Sequence, residues 1–230
     1  MMISVCIPCM NRAYDLKQTL PSNIEAANAS SPVEIVILDY NSQDGLEEYI
    51  NNTRETISLA DGNLLTYAKY TGRSYYHMAH ARNLSVLASS GEYINISNAD
   101  VFFAEDYFKI IRELLLSRKP VWIKPPQRHL GILICQRQEF IDAGGFDERF
   151  EFYGPEDKDL ILRLQRRGGK FVSCPSKIIS QIRTPNSEKV KNYRLALSKQ
   201  EMSKLMKPIY EENVRNRVMV ANEGVEWGAA

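Results

Sequence analysis

The stretch VEIVILDYNSQDG, residues 33–45, decides the fold class of this chain. Its first six residues form an almost continuous apolar run, which is typical of a parallel strand that helices cover on both faces. Residues 41–45 are turn formers, and they include a candidate N-cap for a following helix. The stretch therefore predicts a buried strand that leads through a tight turn into a helix, as in an α/β sheet.

The same alternation of strand and helix extends along the chain. Strands are predicted at residues 4–8, 33–38, 64–67 and 93–96, with helices between them and another helix around 107–115. Beyond residue 120 the pattern predicts strands at 121–124, 132–135 and 171–172, a short helix at 138–143, a helix from Pro155 to Gly168, and a C-terminal helix over 189–206 that Pro208 ends. This order predicts a mostly parallel central sheet with helices on both faces.

The composition is that of an ordinary globular protein, with 44% hydrophobic residues, 25% charged residues and a formal net charge of +1. This balance carries no electrostatic footprint for nucleic acid, so nucleic acid is not an expected partner. No apolar run approaches the roughly 20 residues that span a bilayer. Cys6 and Cys9 have the C-x-x-C spacing of a redox pair or half a zinc site, but no second such pair and no H-x-x-x-H follows. All four cysteines are therefore expected to be thiols in a reducing compartment. We therefore expect a cytoplasmic protein without a transmembrane segment.

Basic residues concentrate near the C-terminus. They are Lys189, Lys191, Arg194, Lys199, Lys204 and Lys207. One interpretation is the solvated face of an amphipathic helix. The other is a surface that docks the protein at the periphery of a membrane or on a partner protein.

Polar residues follow three of the predicted strands. They are Asn11 and Arg12 after the first strand, Asp39, Asn41 and Asp44 after the second, and Asn98 and Asp100 after the fourth. Because ligands bind beyond the carboxyl ends of the strands in an open parallel sheet, these residues predict one site at one edge. Asp100 is the candidate ligand for Mg²⁺ or Mn²⁺, which prefer oxygen ligands. The alternative is that Asp100 caps a helix beginning near Ala104.

Glycine-rich phosphate loops are missing from the sequence. The first predicted strand is not followed by the motif G-x-G-x-x-G, and the sequence nowhere contains the motif G-x-x-x-x-G-K-[ST]. A nucleotide would therefore be held by side chains and a metal ion.

The stretch YGPEDKDL, residues 153–160, places three acids in the first turn of a helix. One interpretation is structural, because the helix dipole stabilises each such acid by about 0.3–1 kcal/mol. The other is functional: Tyr153 would stack on a sugar ring while a neighbouring carboxylate takes a proton from a hydroxyl group.

Taken together, the motifs of the first half resemble glycosyltransferase family two. The resemblance rests on VCIPCMNR at 5–12 with LKQTL at 16–20, VILDYNSQDG at 36–45, ARN at 81–83 and NAD at 98–100, in that order. It covers about residues 2–180. It implies an A-type glycosyltransferase fold whose Rossmann-like half binds a nucleotide sugar, expected to be uridine-linked, and a role in polysaccharide biosynthesis.

The resemblance also implies roles for individual residues. The nucleotide-sugar-binding residues would be Pro8, Asn11, Arg12, Asp39, Asn41, Arg82 and Asn98. Among them, Asp39 would contact the nucleobase, and Arg82 would brace Asp39 or the diphosphate. Asp100 would hold the divalent cation, Mn²⁺ or Mg²⁺.

The second half is similar to the galactosyltransferase-like region of β-1,4-galactosyltransferases and chondroitin-type polymerases. The similarity runs from Phe140 through GGF at 144–146 to YGPEDKD at 153–159. It implies an inverting transfer to a saccharide hydroxyl with Asp157 as general base. Tyr153, Gly154 and Glu156 would bind the saccharide acceptor, and the loop at 125–130 and the C-terminal helix would choose it.

Two positions depart from the family pattern. Asn98 stands where the family has the first acid of its D-x-D motif. The late histidine that relatives commonly supply to the metal is missing, so Gln181 would be a weak ligand or Arg183 would replace the charge of the metal. His77 and His80 lie upstream and are expected to be structural or to contact substrate.

These expectations give a single glycosyltransferase domain over residues 1–185. Its nucleotide-sugar half would cover 1–100 and its acceptor half 101–185, followed by a helical extension over 186–230. A catalytically degenerate carbohydrate-binding or scaffold protein of the same fold is the alternative function. A sugar-phosphate nucleotidyltransferase is a third, although residues 8–12 lack the glycine-rich loop of such enzymes.

Overall fold

The computed structural model describes residues 1–117, 121–124 and 131–228. The strands are β1 Ile3–Cys9, β2 Val33–Tyr40, β3 Leu64–Tyr70, β4 Tyr93–Ile96, β5 Val101–Phe103, β6 Val121–Lys124, β7 Leu133–Gln136, β8 Lys170–Ser173 and β9 Ile179–Gln181. The helices are α1 Ala13–Asn28, α2 Leu46–Thr56, α3 Met78–Leu87, α4 Tyr107–Ser117, α5 Arg137–Asp142, α6 Glu156–Arg166, α7 Asn186–Val190 and α8 Lys199–Arg215.

Seven strands form the central sheet in the order β3-β2-β1-β4-β7-β6-β8. The first four are parallel and are joined through helices, which is the arrangement of a Rossmann-like half. Strand β7 runs antiparallel to both of its neighbours, whereas β6 and β8 are parallel. The predicted mostly parallel α/β sheet is therefore confirmed. Strands β5 and β9 form a separate antiparallel pair.

Hydrophobic cores lie on both faces of this sheet. Val5 and Ile7 of β1 belong to one core together with residues of α1, α2 and α4. Cys6, between them, belongs to a second core with residues of α3, α5, α6 and α8. Because successive side chains of a strand point to opposite faces, this division explains why β1 and β2 are buried along their whole length.

The C-terminal segment differs from the prediction. Instead of one helix over 189–206 that Pro208 ends, the chain forms the short helix α7, a link, and the long helix α8 with Pro208 inside it. Helix α8 begins at Lys199 because Ser198 and Glu201 form a capping box. Met202 and Met206 bury one side of α8 in the second core, and this packing outweighs the cost of an internal proline.

The end of the described chain is also bonded to the body of the protein. The backbone N–H of Gly228 donates to Glu148 at 2.9 Å, and the rings of Trp227 and Phe140 lie 6.2 Å apart. Earlier in the tail, the N–H of Ala221 donates to the carbonyl of Ala143 at 3.0 Å.

All four cysteines are buried and free. Within the described ranges no helix is long and apolar enough to cross a membrane.

A buried ionic network joins α6 to its surroundings. The guanidinium of Arg163, which is fully buried, donates to the Asp159 carboxylate at 2.8 Å and to the carbonyls of Ala143 and Gly145. Asp159 also accepts a hydrogen bond from Asn213 of α8 at 2.8 Å. The third acid of the motif at 153–160 therefore has a structural role.

Replacing Arg163 tests this network. We expect Arg163→Met to lower the free energy of unfolding by about 3–5 kcal/mol, because it leaves the Asp159 carboxylate buried without a cation. Urea denaturation followed by circular dichroism measures the change. Arg167→Met is the matched control, since Arg167 is exposed and lies 3.9 Å from its acidic partner Asp142. Equal denaturation midpoints for the two variants would contradict the expectation.

Candidate active site

A cleft of about 1050 Å³, including space open to solvent, lies beyond the carboxyl ends of β1 and β4. The cleft is lined by nine of the residues that the sequence nominates: Pro8, Arg12, Arg82, Asn98, Asp100, Tyr153, Glu156, Asp157 and Gln181. The nominated residues that do not line it are Asn11, Asp39, Asn41, Asp44, Gly154 and Arg183. The acceptor loop proposed at 125–130 lies outside the described residues.

Two asparagines shape the turns beside the cleft. Asn11 and Asn41 both adopt left-handed backbone conformations, with φ of 54° and 58°, which asparagine tolerates better than most residues. The Asn11 side chain accepts from the N–H of Gln43 at 2.8 Å, and the Asn11 N–H donates to the Ser42 hydroxyl at 3.0 Å. The turns after β1 and β2 are thus bonded to each other.

Asp39 is buried at the end of β2. Its two carboxylate oxygens accept from the Ser42 N–H and the Tyr67 hydroxyl, each at 2.7 Å. Of the two roles expected for Arg82, bracing Asp39 is not seen, because Arg82 contacts the acids of α6. Bracing the diphosphate stays a prediction.

Asp100 is held between two partners from distant parts of the chain. Its Oδ1 accepts from the Gln181 amide at 3.0 Å, and its Oδ2 lies 3.5 Å from the Arg12 guanidinium. The pairing of β5 with β9 places Gln181 opposite Val101 and so explains its approach to Asp100. The alternative that Asp100 caps a helix is wrong, since β5 follows it and α4 begins only at Tyr107.

The acids of the cleft decide how a divalent cation would bind. Among the described residues, no group of three or more His, Cys, Asp or Glu side chains could hold a metal ion. However, Mg²⁺ is commonly held by one or two carboxylates together with substrate phosphates and waters. Asp100 therefore fits a cation that it shares with a diphosphate, rather than one that the protein holds alone. Arg183, the suggested substitute for the metal, is exposed and does not line the cleft.

A buried arginine holds the two acids that begin α6. The Arg82 Nη1 lies 2.5 Å from Asp157 and 3.3 Å from Glu156. The Arg82 and Glu156 side chains are each 3% exposed, whereas that of Asp157 is 40% exposed. Asp157 therefore presents a carboxylate to the open cleft, and Glu156 lies behind it.

The two acids also differ in their environment. The pKa of Glu156 is raised to about 8, and burial is the largest cause. The negative charge of Asp157 also raises this pKa, by more than the positive charge of Arg82 lowers it. The protonated form of Glu156 is therefore favoured relative to that of an ordinary carboxyl group. Its second oxygen accepts from the Gly154 N–H at 3.1 Å, which gives Gly154 a contact with the acid pair from outside the cleft.

The C-terminal segment, which the sequence interpretation connected with acceptor choice, supplies cleft residues to which that interpretation had assigned no role in the site. The cleft is also lined by Glu188, Lys189, Asn192, Tyr193 and Lys199. Asn192 donates to the carbonyl of Met10 at 3.0 Å and accepts from the Asn11 side chain at 3.1 Å. No local motif marks these residues, because tertiary packing alone brings them to the cleft.

Both early histidines lie in a buried polar cluster outside the cleft. The Nδ1 of His77 accepts from the His80 N–H at 3.3 Å and so caps α3, and His80 is 2.8 Å from the Tyr40 hydroxyl. Burial lowers the pKa of His77 to about 4, so it is neutral near pH 7. These contacts support the structural interpretation of the two histidines.

Comparison of the sequence with protein families identifies this arrangement. The model of the family described as glycosyl transferase family 2 matches residues 4–173. The chain belongs to glycosyl transferase family 2. A comparison with curated protein sequences gave no significant match.

Solved structures share the fold of this family 2 chain. The mannosyltransferase PcManGT from Pyrobaculum calidifontis, in complex with GDP-Man and Mn²⁺, is 22% identical with a TM-score of 0.63; the match covers 75% of this chain and 54% of that one. Staphylococcus aureus TarS in complex with UDP-GlcNAc is 15% identical with a TM-score of 0.68; the match covers 98% of this chain and 68% of that one. A Drosophila β1,4-galactosyltransferase 7 variant in complex with manganese, UDP-Gal and xylobiose is 14% identical with a TM-score of 0.55; the match covers 87% of this chain and 78% of that one. The chain thus spans about half the length of the first of these proteins and has the A-type glycosyltransferase fold.

The raised pKa of Glu156 makes stability depend on pH. Between the ordinary carboxyl pKa of 4.5 and about 8, the folded family 2 chain keeps a proton that the unfolded chain releases. The free energy of unfolding therefore falls as pH rises through this window. In Glu156→Gln this contribution is missing, so the variant should gain stability relative to the wild type by up to about 1.4 kcal/mol per pH unit. Urea denaturation at several pH values measures the difference, and a difference that stays constant from pH 5 to 8 would refute the expectation.

Proposed function

We propose that this chain is an inverting glycosyltransferase that moves a sugar from a nucleotide sugar to a hydroxyl group of a saccharide acceptor. The observation that carries the proposal is one cleft with two different carboxylates in a family 2 chain. Asp100 is at the sheet edge, 4% exposed and bonded on both oxygens, whereas Asp157 is accessible from the cleft. Such a division suits one acid near the leaving group and another near the attacking hydroxyl.

The sheet edge is the proposed donor side. Solved proteins of the same fold are in complex with UDP-GlcNAc and with GDP-Man and Mn²⁺, which supports a nucleotide-sugar donor and a divalent cation. We assign the diphosphate to Asp100, Arg12 and Asn98, and the uridine to the turns of Asn11 and Asn41 beside Asp39. When bound, the cation supplies positive charge to the departing diphosphate. Arg12 lies beside Asp100 and adds a fixed cation there.

The start of α6 is the proposed acceptor side. Asp157 takes the proton from an acceptor hydroxyl, and the hydroxyl oxygen forms a bond to the anomeric carbon. The bond between that carbon and the diphosphate oxygen breaks, and its electron pair leaves with the nucleoside diphosphate. Tyr153 provides an aromatic face for the acceptor ring. Glu156 lines the cleft beside Asp157 on this acceptor side, and Arg82 contacts both acids.

A catalytically degenerate carbohydrate-binding protein is the second candidate function. It is favoured by Asn98 in place of an acid and by the lack of a three-acid or histidine cluster among the described residues. The accessible carboxylate of Asp157 favours the enzyme instead.

Replacing Asp157 separates binding from chemistry. We expect Asp157→Asn to lower kcat for sugar transfer by about 10²–10⁴-fold, because the amide cannot accept the hydroxyl proton. The affinity for UDP with Mn²⁺, measured by calorimetric titration, should change little. Asp106→Asn, at an exposed acid outside the cleft, is the control. Unchanged turnover in Asp157→Asn would remove this residue from the mechanism.

Asp100 gives a test of how the cation is held. Because a single carboxylate is offered, Mn²⁺ alone should bind weakly, and UDP should tighten Mn²⁺ binding. In Asp100→Asn the factor by which UDP tightens Mn²⁺ binding should fall by about tenfold or more, because the cation loses one charged ligand. Calorimetric titrations of Mn²⁺ and UDP, separately and together, measure it. Tight Mn²⁺ binding without nucleotide would contradict the shared-cation arrangement, and no binding of UDP or other nucleoside diphosphates would exclude a transferase.

The stereochemistry of the product tests the single displacement. An attack by the acceptor oxygen on the face opposite the diphosphate inverts the anomeric centre. Proton NMR of the product formed from an α-linked nucleotide sugar should therefore show a β-linkage. An α-linked product would rule out Asp157 as the base of an inverting reaction.

A further inference from the structure

Two lysines of the C-terminal segment reach the cleft. Lys189 lies in α7 and Lys199 begins α8, and both are partly buried in the cleft wall. The remaining basic residues of the segment are exposed, and they are Lys191, Arg194, Lys204 and Lys207. The solvated face expected from the sequence therefore describes these four residues, whereas Lys189 and Lys199 require another explanation.

Lys199 covers the aromatic ring of the proposed acceptor side. Its Nζ lies 4.1 Å from the centre of the Tyr153 ring. Burial lowers the pKa of Lys199, since the ammonium has lost part of its hydration. A partly dehydrated cation is stabilised by a neighbouring anion. A sugar ring that stacks on this face of Tyr153 meets the ammonium group directly.

The acids of the cleft are already engaged by other partners. Asp100 is bonded by Gln181 and contacts Arg12, Glu156 and Asp157 share Arg82, and Glu188 pairs with Lys191. Within the described ranges, neither Lys189 nor Lys199 forms an ion pair with a carboxylate, although Glu156 lies near enough to Lys199 to act on it electrostatically. Two lysines thus face the cleft without a counter-ion of their own.

We infer that the saccharide acceptor carries an anionic group, a carboxylate or a phosphate, and that Lys199 selects for it with the help of Lys189. This inference rests on the proposed transfer to a saccharide. A neutral ring would displace the Lys199 ammonium from Tyr153 and offer it only hydroxyl groups, whereas an anionic sugar supplies a counter-charge. The ammonium also offsets the repulsion between such an acceptor and the Asp157 carboxylate.

Binding of matched sugars tests the inference. The probes are the nitrophenyl glycosides of glucuronic acid, of glucose phosphorylated on its primary hydroxyl, and of glucose itself. They are titrated into the full chain saturated with UDP and Mn²⁺. At least one anionic probe should bind about tenfold more tightly than the neutral glucoside, as expected for one charge pair shielded from solvent. Which anionic probe binds distinguishes a carboxylate from a phosphate.

Variants of Lys199 show whether this residue is responsible. In Lys199→Gln the preference for the anionic probe should fall to within about threefold, whereas Lys199→Arg should retain it because the charge remains. Lys204→Gln is the matched control, since Lys204 is exposed on the same helix. Equal binding of all three probes to the wild type, or an unchanged preference in Lys199→Gln, would overturn the inference.

UDP binding separates this inference from the proposed function. The affinity for UDP should be unchanged in Lys199→Gln and in Lys189→Gln. A tenfold loss in either variant would assign the lysine to the donor diphosphate and overturn the inference, while the transferase proposal would stand. If the wild type does not bind UDP, the proposed function fails, and titration of the three probes without nucleotide still decides the charge of the ligand.

Discussion

The buried guanidinium of Arg82 is the interaction on which the site depends. A charge that is removed from water costs several kcal/mol unless it is paired, so α3 can bury Arg82 only if acids are presented to it. Asp157 supplies the counter-charge from the first turn of α6, and Glu156 accepts a second hydrogen bond from Arg82 there, more than 70 residues later in the chain. The electrostatic requirement therefore fixes the distance between the sheet edge and the acids proposed for acceptor chemistry. The two acids differ because Glu156 is buried, and its burial beside the charge of Asp157 raises its pKa.

Much of the first half could be predicted from the sequence, because burial on both faces of a parallel sheet leaves a direct record. Strands such as β1 and β2 are continuous apolar runs, and the residues that follow them lie at one edge for topological reasons. Asp100 and Arg12 were found in this way. The partners of Arg82 were not, because the prediction placed it beside Asp39 and nothing local in the sequence indicates that it lies closer to α6.

The C-terminal half was harder to predict because its helices depend on tertiary contacts. The internal Pro208 suggested a helix end, but burial of Met202 and Met206 keeps α8 continuous. The pair Ser198 and Glu201 was a usable local signal for the start of α8. The motif at 153–160 shows that structural and functional interpretations need not exclude each other. Asp159 belongs to the buried network of Arg163, whereas Asp157 faces the cleft.

The division of the cleft between two parts of the chain has a further consequence. The family match ends at residue 173, yet Lys189, Asn192, Tyr193 and Lys199 complete the cleft from beyond that point. One contiguous segment outside the central sheet therefore forms a wall of the cleft. In evolutionary terms, recombination or drift in that segment alone can remodel the wall while the nucleotide-facing edge stays intact. Gly154 sets the limit on such change, because a Cβ there would lie 2.6 Å from that of Met206. A replacement segment that keeps a helix at this close approach would therefore still need glycine at position 154.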